Sequence, residues 1–144
     1  MRLDQLLDHT GLSVLDHLER EVTIPVVDGV QAQGDLIVIP AAMVGTVTEN
    51  IWARWTPVPP QGADLLRSTN GANPHTLVGE ACHWTTAVND NLALAVALVR
   101  NTEPAYLIHP EHGGTGIAPG RWVVRRQREL GIHGRRTKPL YVHD

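Results

Sequence analysis

The chain of 144 residues contains no phenylalanine, a single cysteine and a single lysine. One cysteine, Cys82, excludes an intramolecular disulfide, which fits a reducing compartment. Eleven of the twelve basic residues are arginine. That skew follows from GC-rich coding, so arginine in place of lysine carries no functional message. Long apolar runs are missing too. The longest, Leu92–Val99, is far short of the ~20 residues that cross a bilayer. The first twenty residues lack the basic start and apolar stretch of a secretory signal. These absences predict a cytoplasmic protein with no membrane span. There is no phosphate-cradling glycine loop, nucleophile elbow or C-x-x-C pair, which excludes the usual nucleotide-binding, hydrolase and zinc-ribbon classes.

What is present suffices for one domain, since 42% of the residues are hydrophobic and domains cluster near ~100–150 residues. The net charge of −3 is unevenly placed. Residues 1–50 carry eight acids against two arginines, whereas residues 121–144 carry seven basic residues against Glu129 and Asp144. The basic end would meet either an anionic partner or the chain's own acidic start.

Residues 1–20 are expected to form a helical element of two short pieces. Leu3, Leu6 and Leu7 share one face, and beyond Gly11 a cap at Ser13 would start a second turn carrying Val14, Leu15 and Leu18. Neither piece is long enough to stand alone. The segment must dock, on its own domain or as a handle for a protein partner.

Residues 21–130 read as a β-rich domain. Runs rich in Val, Ile, Thr and Trp are broken by Pro, Gly, Asn and Asp. Strands are expected at Val22–Val27, Asp35–Ile39, Ile51–Val58, Ala63–Ser68, His75–Val78, Cys82–Ala87, Leu92–Val99, Ala105–Ile108 and Arg121–Arg128. The fold class is mainly β, a small antiparallel β-barrel or compact sandwich, since closure or stacking protects strand edges. Residues 131–144 are expected as an extended or disordered basic tail.

Of the eight histidines, His9, His17, His133 and His143 read as solvated side chains. His83 follows Cys82, and on a strand the two face opposite sides, so they do not form a nucleophile and its base. His75, His109 and His112 differ, because they sit at strand ends beside turn residues. Converging at one mouth, with Glu111 as a further ligand or proton carrier, they would hold a divalent transition metal with an open position. The plainer reading is a hydrogen-bonded turn. Arg125, Arg126 and Arg128 offer a weak nucleic-acid surface, with Trp52, Trp55, Trp84 and Trp122 as stacking candidates. Against it stand the overall acidity and the equal aptness of tryptophan as core filler.

Four stretches carry a resemblance. They are Gln33-Gly34-Asp35 with the apolar run to Ile39, Asn73-Pro74-His75-Thr76-Leu77, Ala105 to Gly113, and Pro119 to Glu129. They resemble a family of small uncharacterised bacterial and phage proteins with Q-G-D before an apolar strand and H-x-E-H ahead of P-G-x-[YW]-x-V-x-x-Q-R-E. The resemblance spans about residues 33–129 and implies a domain extent and an interest in His75, His109 and His112. A fainter similarity is to cupin-like barrels, which gather histidines around a metal. Three functions remain open: a non-enzymatic accessory module binding another macromolecule, a cupin-like metal-binding protein, and a nucleic-acid binder. Nothing in the pattern fixes an oligomeric state.

Overall fold

Short apolar runs with a two-residue period, closed off by turn formers, favour strands over helices. The computed structural model follows that rule and describes residues 1–15, 20–66, 74–133 and 136–141, with 128–133 and 136–141 described as backbone. One helix, α1 (Leu3–Thr10), leads into β1 (Val26–Val27), β2 (Gln31–Gln33), β3 (Leu36–Pro40), a 3-10 turn (Ala41–Met43), β4 (Thr48–Glu49) and β5 (Thr56–Pro57). Then come β6 (Ala63–Leu66), β7 (His75–Val78), β8 (Cys82–Thr85), β9 (Val88–Asn89), β10 (Ala95–Asn101) and β11 (Ala105–His109). The chain continues through β12 (Gly113–Ile117), β13 (Gly120–Arg126), β14 (Arg128–His133) and β15 (Arg136–Tyr141).

Two sheets enclose the core. The first has the order β1-β12-β11-β7-β6 and the second β2-β3-β13-β10-β8-β5. Pairing within them is antiparallel except between β1 and β12. Leu77, Leu107 and Ile117 of the first sheet pack with Leu36, Val38, Val99, Trp122 and Val124 of the second in one buried cluster. The architecture is therefore the sandwich of the two expected alternatives, and the barrel is not closed. Where the β2 edge meets the first sheet, glutamine side chains replace ladder bonds. Gln31 Nε2 donates to Gly116 O at 2.8 Å, and Gln33 Nε2 donates to Leu107 O at 2.9 Å.

The outer face of the first sheet is covered by α1. Leu3, Leu6 and Leu7 form a second buried cluster with Val14, Ile24, Val78 and Ile108. The leucine face of the helix is thus buried against the chain's own domain. Gly11 ends the helix in the left-handed region (φ 72°), where glycine carries no Cβ penalty. The expected second helical turn does not start at Ser13. Residues 12–15 are irregular, because Val14 is drawn into the cluster and the Leu15 N–H donates to Pro110 O at 2.8 Å. Asp16, His17 and Leu18 lie outside the described residues.

The apolar stretch at 92–99 becomes the strand β10, displaced toward its C-terminal end. Its alanines favour helix, but pairing with β13 on one side and β8 on the other overrides them. The basic tail is extended, and its two strands β14 and β15 pair with each other from Arg128↔Tyr141 to His133↔Arg136. That pairing was not anticipated.

Candidate functional site: a clamped histidine stack

The register of β7 and β11 creates the site. Leu107 pairs with Leu77 and Ile108 with Thr76, so one step further His109 stands opposite His75. Alternation puts both imidazoles on the inner face, in line with the core leucines. Their ring centroids are 4.4 Å apart. Past His109 the chain turns through Pro110 and Glu111, and the Glu111 N–H donates to His109 Nδ1 at 3.1 Å. The turn brings His112 back over the pair, 4.6 Å from His109 and parallel to His75 within 4° at 6.5 Å. His75 and His109 are buried while Glu111 and His112 are exposed. The three histidines therefore converge as a stack that runs from the core to the surface.

The second sheet holds the inner end of this stack. Gln33 and Asp35 flank Gly34, which takes φ 56° at the β2–β3 turn. Gln33 Oε1 lies 2.9 Å from His75 Nδ1, and Asp35 Oδ1 lies 2.7 Å from His75 Nε2. Because Gln33 Nε2 already donates to Leu107 O and to Thr115 Oγ1, the amide orientation is fixed and its oxygen must accept. His75 Nδ1 therefore faces an acceptor in Gln33, and its Nε2 is taken by the Asp35 carboxyl group. His109 is fixed in the other sense. Its Nδ1 accepts from a backbone N–H, so its proton sits on Nε2.

Gln127 steadies the turn that carries the clamp. Its N–H donates to Asp35 O at 2.8 Å, and its side-chain amide donates to Gly34 O at 2.8 Å and Leu36 O at 3.1 Å. The Q-G-D and Q-R-E stretches noted in the sequence are thus in direct contact. Gln33, Asp35 and Gln127 had not been selected as site residues. Their signals were the Q-G-D and Q-R-E stretches of the resemblance and, for Gln33 and Asp35, polar side chains at both edges of a turn that leads into an apolar strand.

A metal needs lone pairs that converge on one point. Here neighbouring rings are tilted 38° to one another with no shared focus, both nitrogens of His75 face oxygens, and His109 Nδ1 receives a proton donor. Among the described residues no three His, Cys, Asp or Glu side chains are arranged to hold an ion.

The other candidates are placed elsewhere. Arg125 pairs with Asp90 (Nη2–Oδ1 3.1 Å), both largely buried, so its charge is already matched. Arg126 is half-buried on β13, and the Arg128 side chain lies outside the described residues. Trp122 is core, with its indole N–H donating to Ala118 O at 3.0 Å. Trp52 is exposed and Trp84 packs against the core.

Cys82 is buried, and desolvation pushes its thiol up to about 11. The neutral thiol dominates at physiological pH, and only the thiolate attacks. A disulfide reagent at pH 8 is expected to titrate Cys82 at least about a hundred times more slowly in the native protein than in denaturant. Equal rates would contradict its burial.

A two-sheet β-sandwich with a Gln–His–Asp clamp under stacked imidazoles defines the class of molecule. The chain belongs to the family of the domain of unknown function DUF8820, whose model matches residues 32–127. No curated protein and no solved structure matches the chain. The matched range takes in every residue of the clamp and stack and leaves α1 outside it. No described helix is long and apolar enough to cross a membrane.

Proposed function

We propose that the chain is a non-enzymatic binding module that presents Glu111 and His112 to another macromolecule from a rigid base. The observation supporting this reading is the engagement of His75 at both ring nitrogens by Gln33 and Asp35. A histidine so held positions its neighbours and does not itself meet a ligand. His109 is pinned by the Glu111 N–H, and the exposed pair at 111–112 forms the outer end of the assembly. Preorganised side chains of this kind lose little freedom on binding.

A second reading, a cupin-like metal-binding protein, is favoured by the convergence of three imidazoles within 6.5 Å. It requires His75 to give up Asp35 or Gln33. Elemental analysis of untagged protein separates the two. The binding-module reading expects well under one equivalent of zinc, iron, manganese or nickel. Stoichiometric metal, lost in a His109→Ala/His112→Ala variant, would replace it with the second reading. A photo-crosslinking side chain in place of His112 is expected to give one discrete adduct in cells, abolished by Glu111→Ala. The same side chain at exposed Thr102 should give none.

A further inference from the structure

The outer face of the second sheet carries a cationic row that the histidine stack does not use. In the ladder of β8, β10 and β13, Arg100 stands directly opposite Arg121 on one side and His83 on the other. Both arginines are exposed, and His83 is half-exposed. Like charges directly opposite in an antiparallel pair repel, and the cost falls only when a counter-charge arrives. Among the described residues neither Arg100 nor Arg121 makes an ion pair, whereas Arg2, Arg125 and His75 do.

Arg100 is also held in place. Its guanidinium lies 4.5 Å from the ring centroid of Trp55, within the range of a cation–π contact. The Trp55 indole N–H donates to Glu49 Oε2 at 3.0 Å. Glu49 is thereby committed to the tryptophan, which it braces beneath the arginine. Trp55, Glu49 and Arg121 line a shallow cleft of about 160 Å³, and Arg100 meets it through its contact with Trp55.

We propose that Arg100 and Arg121, bordered by His83, form a binding site for a phosphate monoester. Two guanidiniums on neighbouring strands match the charge and the fork geometry of a phosphoryl dianion, and Trp55 holds one fork ready. The site lies on the opposite sheet from the histidine stack and does not depend on the function proposed for that stack.

The test is an NMR titration of the full chain, following the Trp55 indole and the Arg100 and Arg121 side-chain N–H signals. The probes are inorganic phosphate, a nucleoside 5′-monophosphate, and a single-stranded oligonucleotide lacking terminal phosphates. The first two should shift these signals saturably. Arg100→Gln and Arg121→Gln should each weaken binding at least about tenfold, consistent with loss of a charge-assisted bidentate contact, with unchanged near-UV circular dichroism. Arg54→Gln, in a different cleft beside Trp52 and Trp84, should leave binding intact. Absence of saturable shifts at both arginines, or equal weakening by Arg54→Gln, overturns the proposal. Tighter binding of the oligonucleotide than of either monoester also overturns it and points to a nucleic-acid backbone instead.

Discussion

Asp35→Ala is expected to lower the unfolding free energy by about 2–3 kcal/mol, the upper part of the range for leaving a buried polar group without its hydrogen-bond partner. Asp35 is 7% exposed and His75 is 1% exposed. The alanine variant leaves an imidazole nitrogen in the core without the carboxyl group that it faces at 2.7 Å. Much of the loss is the desolvation of that stranded group, and less of it the net worth of the pair. Asp35→Asn should cost less, about 1–2 kcal/mol, because a side-chain amide can still hydrogen-bond Nε2 as a neutral partner. Urea denaturation of the three proteins, compared at unchanged slope, measures both differences. Equal stability of wild type and Asp35→Ala would mean that the clamp contributes nothing, and the rigid base assigned to Glu111 and His112 would fall with it.

The histidine convergence was legible in the sequence because strand ends are. His75 begins an apolar run and His109 closes one, so antiparallel pairing of those runs puts the two rings side by side. The clamp was not legible. Gln31, Gln33 and Asp35 are polar at alternate positions, which by pattern is the face a strand turns to water. That face instead turns inward, because β2 is the edge of its sheet and its glutamines reach carbonyls of the other sheet. Nothing within five residues of Gln33 encodes that the partner carbonyls of Leu107 and Gly116 will lie there. Helix α1 was readable from its leucine spacing, yet its end was not. Val14 had a place in a helical pattern and a place in a core cluster, and the cluster won. Arg125 gave a similar lesson. In a basic run it read as a phosphate contact, whereas its partner Asp90 stands in a turn thirty-five positions earlier.

That turn gives the last large effect. Asp90 accepts from the N–H groups of Leu92, Leu94 and Ala95, and from Arg125. One carboxylate thus organises the entry to β10, where Ala93 sits at φ 55°, a costly conformation for a residue with a Cβ. Burial works against the Asp90 charge, but the backbone donors at Leu92 and Ala95, with Arg125 and the Leu94 N–H, outweigh it and hold the carboxyl below its ordinary value of 3.8. A carboxyl depressed in the folded state stabilises the fold fully above its unfolded value, and that contribution drains away as pH falls through the folded value. Asp90→Ala should therefore cost about 3–5 kcal/mol at neutral pH, with Arg125 stranded at the surface of the core. Asp90→Asn, which keeps an acceptor oxygen but loses the charge, should differ from wild type by a gap that is constant from neutral pH to about 5 and closes below 3.8, where the wild-type carboxyl takes up its proton. Denaturant midpoints of the two proteins across that range decide it. A gap that stays level down to pH 2 would show that the charge on Asp90 is not what orders the turn, and the loss in the alanine variant would then belong to the backbone donors alone.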